Sequence, residues 1–261
     1  MTSSGVIERT IKLGGESIRV WEKGQGEPLG YFAGLGGLLR WTPFLDQLAE
    51  RRRVIVPSLP GFPGGGLLHK QLDTFADWVI CTLDLLEATG LEGKSLVGHS
   101  VGGLLALEAA AFSRASVKSL VLIAPFGLYD ESEPPGDPFN RRANELAPLF
   151  STKPAEFAKE RITPPTGLSA EDATEFAIVQ ARAIEAASRL LWPLGDVGTA
   201  KRLHRVTCPV KLVWGAEDRI MPPSYAKKFA SGLAGPTESQ VIPGAGHALD
   251  FDAPEAAKQA T

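Results

Sequence analysis

Cysteine is nearly missing: the chain has two in 261 residues, Cys81 and Cys208, far apart and in apolar surroundings. That excludes a disulfide-framed secreted module, and no Cys/His pair has the spacing of a zinc site. A sustained basic run is also lacking. Lys and Arg total 27 against 30 Asp and Glu, a net charge of -3, so nothing favours nucleic acid or an anionic membrane surface as a partner. The one cluster, Arg51-Arg52-Arg53, reads as the end of a helix, where cations offset the dipole. No uncharged apolar run approaches the roughly 18 residues of a spanning helix. The first residues, Met1 to Glu8, lack the basic and apolar blocks of a signal peptide. These absences together lead us to expect a soluble, cytoplasmic protein that uses no metal and no cofactor.

What is present belongs to an ordinary globular chain, 44% hydrophobic and 22% charged. Its length suits one large domain with room for an inserted subdomain. The 20 prolines and 28 glycines fall mostly at element junctions, without a period.

The centre of the chain is the stretch Lys94 to Ala106. An apolar run enters Gly98-His99-Ser100-Val101-Gly102, and an Ala- and Leu-rich helix leaves it. Such a strand-turn-helix places a serine hydroxyl at the apex of a strained turn, at the end of a sheet. The helix that starts behind the serine aims free N–H groups and its positive end at charge developing there. By itself the motif is also a Gly-Ser turn before a buried helix, so its partners decide the reading.

Around this stretch strand and helix alternate. Glu16 to Glu22 alternates like a half-exposed strand, and Pro28 to Ala33 is a weaker one ending in the glycine-rich Gly34-Leu35-Gly36-Gly37. Thr42-Pro43 opens a helix, Val54-Ile55-Val56 is a buried strand, and Thr74 caps a helix that runs to Gly90. Val117 to Ala124 is a further strand. The pattern is that of a parallel sheet covered on both faces. From 126 to 205 the alternation stops. Prolines there separate helical pieces, the longest starting at Ser169, which with Asp172 resembles a capping box. An all-helical insertion between two strands is expected to sit over the C-terminal edge of the sheet, where ligands bind. The division is therefore 1–125 with 206–261 as the core, and 126–205 as a cap. The strands Pro209 to Gly215 and Ser239 to Ile242 then complete the sheet.

Ser100, Asp218 and His247 each follow a predicted strand. Parallel strands end on one edge, so the three can converge there. His247 would take the Ser100 proton and return it to the leaving group, and Asp218 would fix the imidazole tautomer. The Val101 N–H and the Leu35 N–H are the expected oxyanion donors.

With GHSVG at 98–102, WGAEDRIMP at 214–222, PGAGHALDFDAP at 243–254 and, more loosely, AGLGG at 33–37, the chain resembles the α/β-hydrolase family over almost its whole length. The resemblance implies an eight-stranded, mostly parallel sheet with a helical cap inserted after the sixth strand. Two positions depart from the family's usual pattern. Ala33 stands where a histidine precedes Gly34, and Ser58 stands where an aspartate precedes the Pro-Gly turn.

Other chemistry-bearing residues receive plainer readings. His99 points into packing, His69 and His204 lie on the surface or cap, and Glu217 is a less favoured neighbour of Asp218. Glu108 is a paired residue of its helix, while Asp250 and Asp252 are solvated charges. Trp192, at the end of the long helix, is a candidate for lining the substrate pocket. Only Arg219 and Arg40 stand near a strand end or the elbow. A serine nucleophile makes hydrolysis of carboxylic esters with small-to-medium apolar acyl groups the first expectation. Carbon–carbon hydrolysis of a vinylogous diketone is the alternative, and a hydrolase-fold binding protein with vestigial activity is a third. The expected partner is a small apolar ester. The chain is silent on oligomeric state.

Overall fold

The computed structural model describes residues 5–259. Eight strands form one sheet in the order β1-β2-β4-β3-β5-β6-β7-β8. They are β1 (Ile7–Leu13), β2 (Glu16–Lys23), β3 (Pro28–Phe32), β4 (Arg53–Pro57), β5 (Lys94–His99), β6 (Val117–Ile123), β7 (Val210–Gly215) and β8 (Thr237–Ile242). β1 pairs antiparallel with β2, and β2 antiparallel with β4; every later pairing is parallel. The residue pattern does not reveal β1. It is an edge strand whose side chains are exposed or half-buried throughout, so its apolar signal is weak.

The helices follow from local chemistry. In α1 (Pro43–Ala49), Thr42 accepts the Leu45 N–H and Pro43 fills the first turn, where a missing N–H costs nothing. Thr74 and Asp77 form a reciprocal capping box at the start of α2 (Phe75–Thr89), and Gly90 ends it in a left-handed conformation. α3 (Ser100–Phe112) starts directly from β5 and is buried along almost its whole length. Alternate strand residues serve opposite faces. Leu96, Leu122 and Leu212 join the core under α2 and α3, whereas Val97, Ile123 and Val213 join the one under α1 and the C-terminal turn. Helices therefore cover both faces of the sheet, as its near-continuous apolar strands require.

Chain order and spatial order reverse between β3 and β5. β3 leads outward to β4, while β5 leads the other way to β6. The crevice at that switch point lies between the loop after β3, Ala33 to Gly37, and the elbow after β5.

Between β6 and β7 the described residues contain no strand. The segment holds α4 (Ala143–Phe150), α5 (Pro154–Phe157) running into a wider turn over Ala158–Ile162, the long α6 (Ala170–Leu191), and two short turns at Thr199–Lys201 and Leu203–Arg205. Ser169 caps α6 by accepting the Asp172 N–H, but the Asp172 carboxylate takes the Ser169 hydroxyl rather than completing a box. α7 (Tyr225–Gly232) lies between the last two strands, and α8 (Leu249–Asp252) follows β8.

Candidate active site

The turn after β5 is held tight by glycine. A Cβ at Gly102 would lie 2.4 Å from the Phe32 carbonyl oxygen, and one at Gly98 would lie 2.7 Å from the Gly102 carbonyl oxygen, so neither tolerates a side chain. Between them Ser100 sits at φ 55°, in the left-handed region that a side chain disfavours. The strained turn lifts its hydroxyl off the end of the sheet.

The other two residues arrive on neighbouring strands. His247 Nε2 is 2.8 Å from Ser100 Oγ, and His247 Nδ1 is 2.9 Å from Asp218 Oδ2. A carboxylate only accepts, so Nδ1 carries the hydrogen. Nε2 then presents its lone pair to the serine hydroxyl. Asp218 is itself fixed, because its Oδ1 accepts the N–H groups of Ile220 and Met221, each at 2.8 Å. Burial separates it from its neighbour: Asp218 is buried and Glu217 is exposed. Phe126 and Phe150 stand edge-on to the His247 ring, with centroids 5.9 and 5.8 Å away, and keep it out of water. Val101 lies in the first turn of α3, where N–H groups have no partner within the helix. Leu35 lies in the loop that forms one side of the adjoining cavity.

That cavity has a volume of about 230 Å³. The β3 loop forms one wall. The segment between β6 and β7 supplies the other, with Leu146, Phe150, Phe157, Ile162 and Ile184. The surface is mostly apolar, interrupted by His99, Arg161, Gln180 and Asp250. Backbone and side-chain bonds stitch this segment to the loop carrying His247. Phe150 accepts the Ala248 N–H at 2.8 Å, and Asp252 holds the Gly246 and Thr152 N–H groups at 2.7 and 3.1 Å together with the Ser151 hydroxyl.

Several sequence readings require correction. Asp250 and Asp252 are buried, not solvated, at 4% and 6% exposure. Asp252 satisfies the turn just described. Asp250 pairs with Arg161 at 3.0 Å. Burial alone would raise the Asp250 carboxyl, but the Arg161 guanidinium beside it holds it below the usual carboxylate range. Arg161, overlooked from sequence, is thus the arginine at the cavity, while Arg219 bonds the Pro148 carbonyl and Arg40 pairs with Glu160 outside it. Its only sequence signal was a cation in a proline-bounded helical piece. Trp192 does not line the cavity. It is 52% exposed and stands edge-on to Phe139, because α6 ends at Leu191 and the backbone turns extended at Trp192 itself.

Among the histidines, His204 is exposed as expected, but His69 is fully buried against α6, with both ring nitrogens unbonded and Glu185 3.7 Å away. Burial lowers its pKa, with Glu185 opposing. Glu108 is paired, but to Arg202 and Thr199 rather than within its own helix. Where Ser58 departs from the family pattern, Arg19 ties the region together by donating to the Leu38 and Pro63 carbonyls at 2.8 Å.

This arrangement is that of an α/β hydrolase. The chain matches the Alpha/beta hydrolase family over residues 31–260 and belongs to it. It is 30% identical to the dihydrolipoyllysine-residue acetyltransferase component of the acetoin cleaving system of Pseudomonas putida, over 98% of this chain and 69% of that protein. It is 26% identical to a 2-hydroxy-6-oxo-6-(2'-aminophenyl)hexa-2,4-dienoic acid hydrolase of Metapseudomonas resinovorans, over 100% of this chain and 91% of that one. The solved 2-hydroxy-6-oxo-6-phenylhexa-2,4-dienoate hydrolase of Rhodococcus sp. strain RHA1 shares the fold, with a TM-score of 0.74 over 97% of this chain and 96% of its own, at 20% identity. No helix among the described residues is long and apolar enough to cross a membrane. Among the same residues no group of three His, Cys, Asp or Glu side chains is disposed to hold a metal ion.

Proposed function

We infer that the protein is a serine hydrolase that cleaves carboxylic esters of small-to-medium apolar acyl groups, with residues 126–205 acting as a cap over the site. The observation that carries this reading is the Ser100–His247–Asp218 chain, bonded at 2.8 and 2.9 Å, at an apolar cavity. In this reading His247 removes the Ser100 proton as the oxygen attacks the ester carbonyl. The Asp218 carboxylate steadies the imidazolium, and the N–H groups of Val101 and Leu35 receive the oxyanion. His247 then protonates the departing alcohol and later activates the water that releases the acid. A volume near 230 Å³, below the usual range of ligand pockets (about 300–1,000 Å³), favours short acyl chains.

The second reading is hydrolysis of a carbon–carbon bond in a dienoate diketone. The similarity to the dienoic acid hydrolase and the presence of Arg161 favour it. Against it stands the ion pair: Arg161 is already neutralised by Asp250 at 3.0 Å, which leaves little free charge for a substrate carboxylate. Turnover of p-nitrophenyl esters of graded chain length, beside one ring-fission diketone, decides between them. We expect the highest kcat/KM on a short ester. A diketone hydrolysed at a kcat/KM well above the best ester would reverse the order, with the same three residues at work.

A further inference from the structure

The elbow grips His247 twice. Ser100 meets the ring at Nε2, while the preceding residue, His99, reaches the main chain of the same histidine: His99 Nε2 lies 2.7 Å from the His247 carbonyl oxygen. A carbonyl only accepts, so the hydrogen of His99 resides on Nε2. Its other nitrogen, Nδ1, is 3.7 Å from Asp250 Oδ1, beyond hydrogen-bond distance, so nothing competes for that hydrogen. His99 is buried at 6% exposure. Burial depresses its pKa and Asp250 opposes, with the net effect of favouring the neutral ring. Neutrality matters, because the two imidazole centroids are 5.4 Å apart and a charged His99 would oppose the imidazolium that His247 must form. Asp250 in turn is engaged by Arg161, which leaves His99 free to serve His247 alone.

The geometry points to His99 as a positioning residue for the general base: a neutral imidazole whose Nε2–H fixes the His247 backbone so that the His247 ring spans Ser100 and Asp218. The inference rests on the serine-hydrolase reading and adds to it a second histidine that never touches substrate chemistry. The His247 ring is held at both nitrogens only if its Cα is correctly placed, and the loop bearing it enters from a different strand than the elbow does. The other bonds to this loop hold residues on either side of His247: Glu217 N–H on the Ala245 carbonyl, Asp252 on the Gly246 N–H and the Phe150 carbonyl on the Ala248 N–H, so among the described residues His99 alone holds the His247 carbonyl.

The test uses the intact protein and three variants, His99→Phe, His99→Gln and His99→Asn. Glutamine can carry an N–H to the place of His99 Nε2, whereas asparagine is too short and phenylalanine has no donor. The readouts are kcat and KM on the best ester, the rate of Ser100 labelling by a p-nitrophenyl phosphonate, and the downfield proton resonance of the His247–Asp218 hydrogen bond. We expect His99→Phe and His99→Asn to lower kcat and the labelling rate by about 10- to 100-fold, as a displacement near 1 Å would. KM should stay within about twofold, and the downfield resonance should broaden or vanish. His99→Gln should recover most of the rate and the resonance. If the phenylalanine variant does not fold, the contrast between glutamine and asparagine decides the matter by itself. Wild-type labelling at Ser100 with equally fast labelling in His99→Asn would sink the inference and leave the serine reading intact. So would a rise in KM at unchanged kcat, which would make His99 only a wall of the cavity. A wild-type protein that the phosphonate does not label would remove the serine reading and this inference together.

Discussion

The edge of the sheet that carries Ser100 and the helical segment that walls the adjoining cavity are built on different principles. Ser100, Asp218 and His247 come from three strand ends, and strand register places them: β5, β7 and β8 lie within one parallel run of the sheet. The segment between β6 and β7 has no register to rely on. It packs into the core through Phe150, Phe157, Ala186, Ala187 and Leu190, and polar contacts tie it down, among them Arg161 with Asp250, Asp252 with the turn at Ser151, Arg189 with Asp73, and Arg202 with Glu108. The lesson is that backbone register brings serine, aspartate and histidine together, whereas side-chain packing and pairing place the segment that forms the cavity's other wall. The first should tolerate surface change and fail at single atoms. The second should be exchangeable but sensitive to the loss of a buried partner.

The strongest expected effect is on the sheet side. Ser100→Ala should lower ester turnover by on the order of 10³-fold or more with an unchanged melting temperature. Activity within tenfold of wild type would show that the register-placed serine is not the nucleophile.

Next comes the segment between β6 and β7. Arg161→Met leaves the Asp250 carboxylate buried without its partner, and should cost about 3–5 kcal/mol of stability. The double variant Arg161→Met with Asp250→Asn should recover much of that loss. Chemical denaturation of both proteins checks it, and equal midpoints for single and double variants would mean that the pair does not hold the two regions together.

A smaller effect should appear with pH. His99 and His69 are both held below the ordinary histidine value of 6.5, chiefly by burial. Below about pH 6.5 the unfolded chain binds protons that the folded chain resists, so the stability these residues contribute is full above that value and declines as the pH falls. Melting temperatures should drop between pH 6.5 and 5, and His69→Leu should flatten the slope. A melting temperature that rises over this interval would contradict the burial of both rings.

The least effect belongs to Trp192→Ala. Outside the cavity and half-exposed, it should leave chain-length preference on p-nitrophenyl esters unchanged within about twofold. A larger change would show that the cavity extends further along the end of α6 than its present walls.

Sequence alone determined the alternation of strands and helices, its end after β6, the glycine elbow and the order of serine, acid and histidine. These are readable because each depends on neighbours within a few residues: a Cβ that cannot fit at Gly102, a cap at Thr74, an apolar run at β5. β1 escaped because an edge strand buries too little to show its period. Tertiary structure alone decided which charges are buried. Asp250 and its Arg161 are 89 residues apart, and Glu108 and Arg202 are 94 apart. Nothing within a few positions of Asp250 distinguishes it from a solvated carboxylate, because the free energy of burying a charge is set by the partner it meets, and that partner arrives only when the chain has folded.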